Sequence, residues 1–185
     1  KNEKSIIMGQ QSTGINDFFA TGEILNTILK DVFTDVDIYD DQIRMLHLLF
    51  TSPIGKDAVS FYRFYIADTV NIDNDKCIHL QFIPNNQQDF GYRGDLWVLA
   101  DSTLHVRRCQ MTLPKKSDVN FVENLKIVQD YTRLPNGEWV LTTDDMYVEL
   151  SVAEFLTKAI VMRTTRISDY DFETIPDKQF KGKAK

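Results

Sequence analysis

Cysteine, proline and glycine are all scarce in this 185-residue chain, at 2, 5 and 8. Two cysteines, Cys77 and Cys109, cannot make the framework of a disulfide-stapled domain. They read first as small buried hydrophobes. So few prolines and glycines exclude collagen-like and low-complexity structure. An excess of positive charge is also lacking. The formal net charge is -6 and the pI about 5.0, which gives no electrostatic ground for expecting nucleic acid as a partner. The basic ending KQFKGKAK reads as a solvated tail. No apolar run approaches the ~20 residues that a bilayer-spanning helix needs. The longest, IRMLHLLF, is short and holds Arg44 and His47. The chain opens KNEKSIIMGQ, without an initiating Met or the apolar stretch of a signal peptide. It is therefore expected to be a mature form or a piece excised from a larger protein.

What is present suits one globular domain over residues 1–185. Hydrophobic residues make up 43%, close to the globular average. From Ile15 to Phe33 the apolar residues recur at three- and four-residue intervals, which predicts a helical segment over 15–33. Asn16 or Thr21 could cap it. The following DVDIYDDQIRMLHLLF fits either a buried strand or a short helix. Pro53 and Gly55 then break the chain.

Beyond Val59 the period changes to two. VSFYRFYIADTV and CIHLQFIP, joined by the polar NIDNDK, read as a hairpin with Ile78, Leu80 and Phe82 on one face and Cys77, His79 and Gln81 on the other. DLWVLA and LHVRRCQMTL are the next two strands. In the second, Arg107 and Arg108 cannot share a face. NFVENLKIVQDYTRL groups Phe121, Leu125, Ile127 and Tyr131. Asn136-Gly137 is the strongest turn signal. EWVLTTDDMYVEL returns, with a break expected at Asp144-Asp145, and AIVMRTTRISDYDF closes the series. Short turns imply antiparallel neighbours. The fold class expected is α+β: a curved antiparallel meander over 59–170, a half-barrel of seven or more strands, with N-terminal helices packed on one face.

Catalytic patterns are wanting. There is no nucleophile elbow, phosphate loop or H-E-x-x-H. His47, His79 and His105 lack metal-ligand spacing. NIDNDKCIHLQF fails the calcium-loop pattern at Lys76 and Phe82, so a β-turn accounts for it. Asp40-Asp41 and Asp144-Asp145 are neighbours whose side chains would diverge on a strand, and loop solvation is the reading preferred for both. No catalytic residue, metal or cofactor is expected. Aromatic residues crowd the strands instead. Core is the default reading for most; the functional one is a pocket on the curved sheet, lined by Phe64, Phe82, Trp97, Met111, Phe121 and Trp139. Arg93-Gly94-Asp95 spells a cell-adhesion tripeptide, but it leads straight into Leu96-Trp97-Val98-Leu99. It reads as the start of a strand, with Gly94 at a bend or bulge.

FYRFYIADTV, the run from DKCIHLQFIP to KIVQDY, and LPNGEWVLTTDDM together resemble the central region of a Bacteroidetes outer-membrane protein family of unknown function. Such proteins carry an N-terminal carboxypeptidase-regulatory-like sandwich and a C-terminal membrane β-barrel. LWVLADSTLHVRRCQMTL is similar, at the level of fold, to the hairpin of LolA/LolB-like lipoprotein carriers. The resemblance implies a non-catalytic domain at the periplasmic face of the outer membrane, with flanking domains of the same protein as partners. It would cradle a lipid, acyl chain or hydrophobic extended polypeptide. The alternative it leaves is a structural spacer or docking domain beside the barrel.

Overall fold

The computed structural model describes residues 34–45, 48–86, 89, 91–113, 122–152 and 157–173; for 152 and 157–159 it describes the backbone alone. A hairpin of β1 (Gln42–Met45) and β2 (Leu48–Thr51) leads into a single helical turn, α1 (Ala58–Phe61). The segment DVDIYDDQIRMLHLLF is thus a short strand pair. Seven strands follow: β3 (Tyr62–Ile72), β4 (Asp75–Pro84), β5 (Arg93–Leu99), β6 (Val106–Leu113), β7 (Val122–Arg133), β8 (Trp139–Val152) and β9 (Thr157–Arg166). They form one antiparallel meander in strictly sequential order, and β3 and β9 do not close it into a barrel.

Local chemistry explains the turns. Gly137 sits at φ 92, the left-handed region that glycine tolerates, and the Asn136 side chain accepts the Glu138 amide at 3.1 Å. Asp73, at φ 53, turns β3 into β4. Gly94 and Asp95 are paired on both sides, with β4 and β6, and Arg93 is paired with β6. A loop tip is excluded. A Cβ on Gly94 would lie 1.9 Å from the Gln110 carbonyl oxygen, so the glycine lets the β5 and β6 backbones approach.

Burial alternates from Arg108 to Leu113 in β6 and from Asn124 to Tyr131 in β7, and the register assigns the faces. Phe82, Leu96, Cys109, Met111, Leu125, Ile127, Met146 and Val148 belong to one core. That side is hereafter the roofed face, because residues 36–62 lie over it. Val36, Ile38, Ile43, Met45, Phe50, Ala58 and Tyr62 join the same cluster. Phe50 packs on Tyr92 at 5.0 Å and Tyr39 on Tyr131 at 5.6 Å. The Gln129 amide donates to the Val36 carbonyl at 2.7 Å, and the Tyr62 hydroxyl to that of Thr51 at 2.7 Å.

Two expectations change, and a third is not reached. The helical segment 15–33 lies outside the described residues. Among the described residues the cover on the sheet is not helical, since α1 is a single turn and the roof is mainly the β1–β2 hairpin with its flanking segments. The expected break at Asp144-Asp145 is absent: β8 runs through both residues, because β7 and β9 satisfy its backbone on either side.

Candidate functional site

The predicted pocket residues do not converge. Phe82 and Met111 share the roofed face and are fully buried under residues 36–62. Phe64 sits at the margin of that core, its ring 6.2 Å from that of Phe82. Trp139, also packed against the core, donates its indole N–H to the Val106 carbonyl at 2.9 Å and stacks on His105 at 5.6 Å. Trp97 is on the opposite, polar face, because its neighbour Leu96 takes the core. Phe121 lies outside the described residues. The aromatic residues are therefore divided between the two faces: Phe82, Phe64 and Trp139 belong to or pack on the core, and Trp97 does not.

The polar face carries an arrangement that periodicity alone does not reveal. Cross-strand pairing aligns Asp68, His79, Trp97, Arg108, Asp130, Thr143 and Arg166 in one row across all seven strands. Their contacts run along and beside the row. The His79 Nδ1 is 3.0 Å from the Asp68 carboxylate and its Nε2 is 2.7 Å from that of Asp95. Both contacts are hydrogen bonds only when both ring nitrogens carry a proton. The Trp97 indole lies flat on the same imidazole, 4.7 Å away and tilted by 7°. Arg108 grips Asp130 with two bonds, at 2.5 and 3.0 Å, and this partner raises its pKa above the ordinary arginine value. Arg166 grips Asp145 in the same bidentate way, at 2.5 and 3.1 Å.

A second ionic group lies within the roofed face. Asp144 is buried and paired with the half-buried Arg163, and the Gln129 amide also donates to Asp144, at 3.1 Å. Arg163 reaches across to donate to the Thr34 carbonyl at 2.9 Å. Burial pushes the Asp144 carboxyl up, against the lowering pull of Gln129 and Arg163. The group ties the start of the roof to β7, β8 and β9. Arg107, buried at the β5–β6 bulge, ties β6 to the β3–β4 connection instead, holding Asp73 at 2.5 Å and Asp75, the first residue of β4, at 3.1 Å.

Cys77 and Cys109 are free, buried thiols, both pushed up by burial and thus poor thiolates. His79 contacts two carboxylates and an indole. Among the described residues no three His, Cys, Asp or Glu side chains form a metal-binding group. No helix there is long and apolar enough to cross a membrane, which says nothing of strands. The Tyr92 hydroxyl, deep in the core, has no hydrogen-bond partner among the described residues.

Sequence reasoning missed Asp68, Asp130 and Arg166 as members of a row, with Asp95 beside it, and it read Asp144-Asp145 as loop carboxylates. Each of the two in fact faces its own arginine on β9. The available signal was the pair of arginines three residues apart in VMRTTR, matched against two adjacent aspartates in the preceding strand. Fold and site together define a β domain built on an open seven-stranded antiparallel sheet, with one roofed face and one ion-paired face. The chain belongs to a family of unknown function (DUF5686), whose family model matches residues 21–169. No curated protein and no solved structure gives a significant match.

Proposed function

We propose that this domain is a non-catalytic docking unit, at the periplasmic face of the outer membrane beside a β-barrel, with no small-molecule ligand of its own. The observation that carries the reading is the roof. A cradle for a lipid, acyl chain or extended polypeptide needs an open apolar face, and residues 36–62 occupy the face that Phe82 and Met111 line. The surfaces left for contact are the polar face and the two sheet edges. The position beside a barrel rests on the resemblance of FYRFYIADTV, DKCIHLQFIP and LPNGEWVLTTDDM to outer-membrane proteins. Excising residues 34–169 from the full-length protein tests it. Barrel assembly, followed by heat-modifiable mobility in gels, is expected to fail or slow. Normal assembly of the shortened protein overturns the reading.

A further inference from the structure

The two edges of the seven-stranded sheet are built differently. At β3 the register slips between Ile66 and Asp68, so the edge is bulged, and Asp68 projects a charge beside the slip. Bulges and charges are the usual devices that stop an edge from pairing. At β9 ten consecutive residues, Thr157 to Arg166, pair with β8 without a shift and without proline. Among the described residues no strand pairs with its far side. Two large apolar side chains on its polar face are open to solvent, Ile160 at 58% and Met162 at 74% exposure. A long, regular edge with exposed apolar residues is a template for another strand.

We propose that β9 pairs with β9 of a second copy of this chain, antiparallel, about a two-fold axis through Val161. The register argues for that occupant. A two-fold axis perpendicular to a sheet keeps each face continuous, so residue numbers opposite one another sum to an even value. Centred on Val161, the pairing sets Ile160 of each copy opposite Met162 of the other. The two exposed apolar residues of one chain then become two apolar pairs across the seam. The same register sets Arg163 opposite position 159 (Ala), Lys158 opposite position 164 (Thr), and Thr157 opposite position 165 (Thr), so no like charges meet. The arginines of the edge are already neutralised within their own chain, Arg163 by Asp144 and Arg166 by Asp145. The result is a continuous sheet with β3 at both outer ends. This rests on the docking reading only in treating a sheet edge as a contact surface. Failure to dimerise leaves the roof and the barrel-assembly test untouched.

Sedimentation equilibrium of the 185-residue chain across the micromolar range tests the proposal. A closed monomer–dimer equilibrium is expected. Ile160→Lys with Met162→Lys sets like charges opposite each other twice, and it is expected to weaken the dimer on the order of tenfold or more. Ile160→Lys with Met162→Glu sets opposite charges there instead, and is expected to bring affinity back toward the starting value. Both positions are solvent-facing, so circular dichroism should show the fold unchanged in each variant. A chain that stays monomeric, whether its edge is empty or kept for a different polypeptide, overturns the proposal. So do open-ended polymers, a dimer indifferent to the two lysines, or one that the mixed-sign pair fails to recover.

Discussion

The two faces of this sheet use the same strands for opposite purposes. On the roofed face Phe82, Met111, Leu125, Ile127 and Val148 are sealed beneath the β1–β2 hairpin and its flanks. On the polar face, one residue along each strand, stand Gln81, Gln110, Lys126, Asp145 and the row from Asp68 to Arg166. The first face holds the domain together by excluding water. The second contributes ion pairs between half-exposed side chains, which water and salt weaken. The difference teaches where a function can reside. The apolar face is already occupied by the protein itself, whereas the polar face and the edges remain for neighbours.

Substitutions should separate the faces by size of effect. Phe82→Ala, on the roofed face, should cost about 3–5 kcal/mol in denaturant unfolding. Arg163→Met should cost a similar amount, about 3–5 kcal/mol near neutral pH, because it strands the buried Asp144 carboxylate. The pH dependence follows from the sign of the Asp144 shift. Its folded pKa is raised by burial, so the folded state holds the proton more tightly than the unfolded state. The penalty should be full above the raised pKa and shrink as pH falls through it. A penalty that grew on acidification would contradict the buried-pair account.

Gly94→Ala should come next, at about 1–3 kcal/mol, since the new methyl meets the Gln110 carbonyl and the backbones must part. Trp97→Ala, on the polar face, should cost about 1 kcal/mol or less for the lost stack on His79 and its cross-strand partners. Arg166→Ala, smallest of all, should leave the unfolding midpoint unmoved within the scatter of the measurement, because its pair with Asp145 is in solvent. If Trp97→Ala rivalled Phe82→Ala, the contrast between the faces would be lost.

The strands were legible in the sequence because alternation and turn chemistry are local. CIHLQFIP and LHVRRCQMTL announce their period, and Asn136-Gly137 announces its turn. Their joining into one meander followed from short connections. Register was not legible. It depends on slips at Ile66/Asp68, Trp97/Val98, Val122/Asn124 and Asp130/Tyr131, each of which displaces the pairing by one residue on one strand only. That is why Val106 and Cys109, assigned to opposite faces by simple alternation, lie in one core. It is also why Arg107 is buried at a bulge with two aspartates 32 and 34 residues away. Trp97 and Phe82 looked like neighbours in a groove because both are aromatic strand residues. The pairing of Phe82 with Gly94 places Leu96, not Trp97, on the Phe82 side.

Titration of delipidated protein with a fluorescent fatty-acid probe shows whether residues 36–62 close the apolar face over Phe82 and Met111. The account predicts no saturable binding, with probe emission unchanged between the native protein and Met111→Ala, whose small buried cavity lies beneath residues 36–62. Saturable one-to-one binding that Phe82→Ala or Met111→Ala abolishes while the fold persists would contradict it, and would restore the roofed face as a ligand groove.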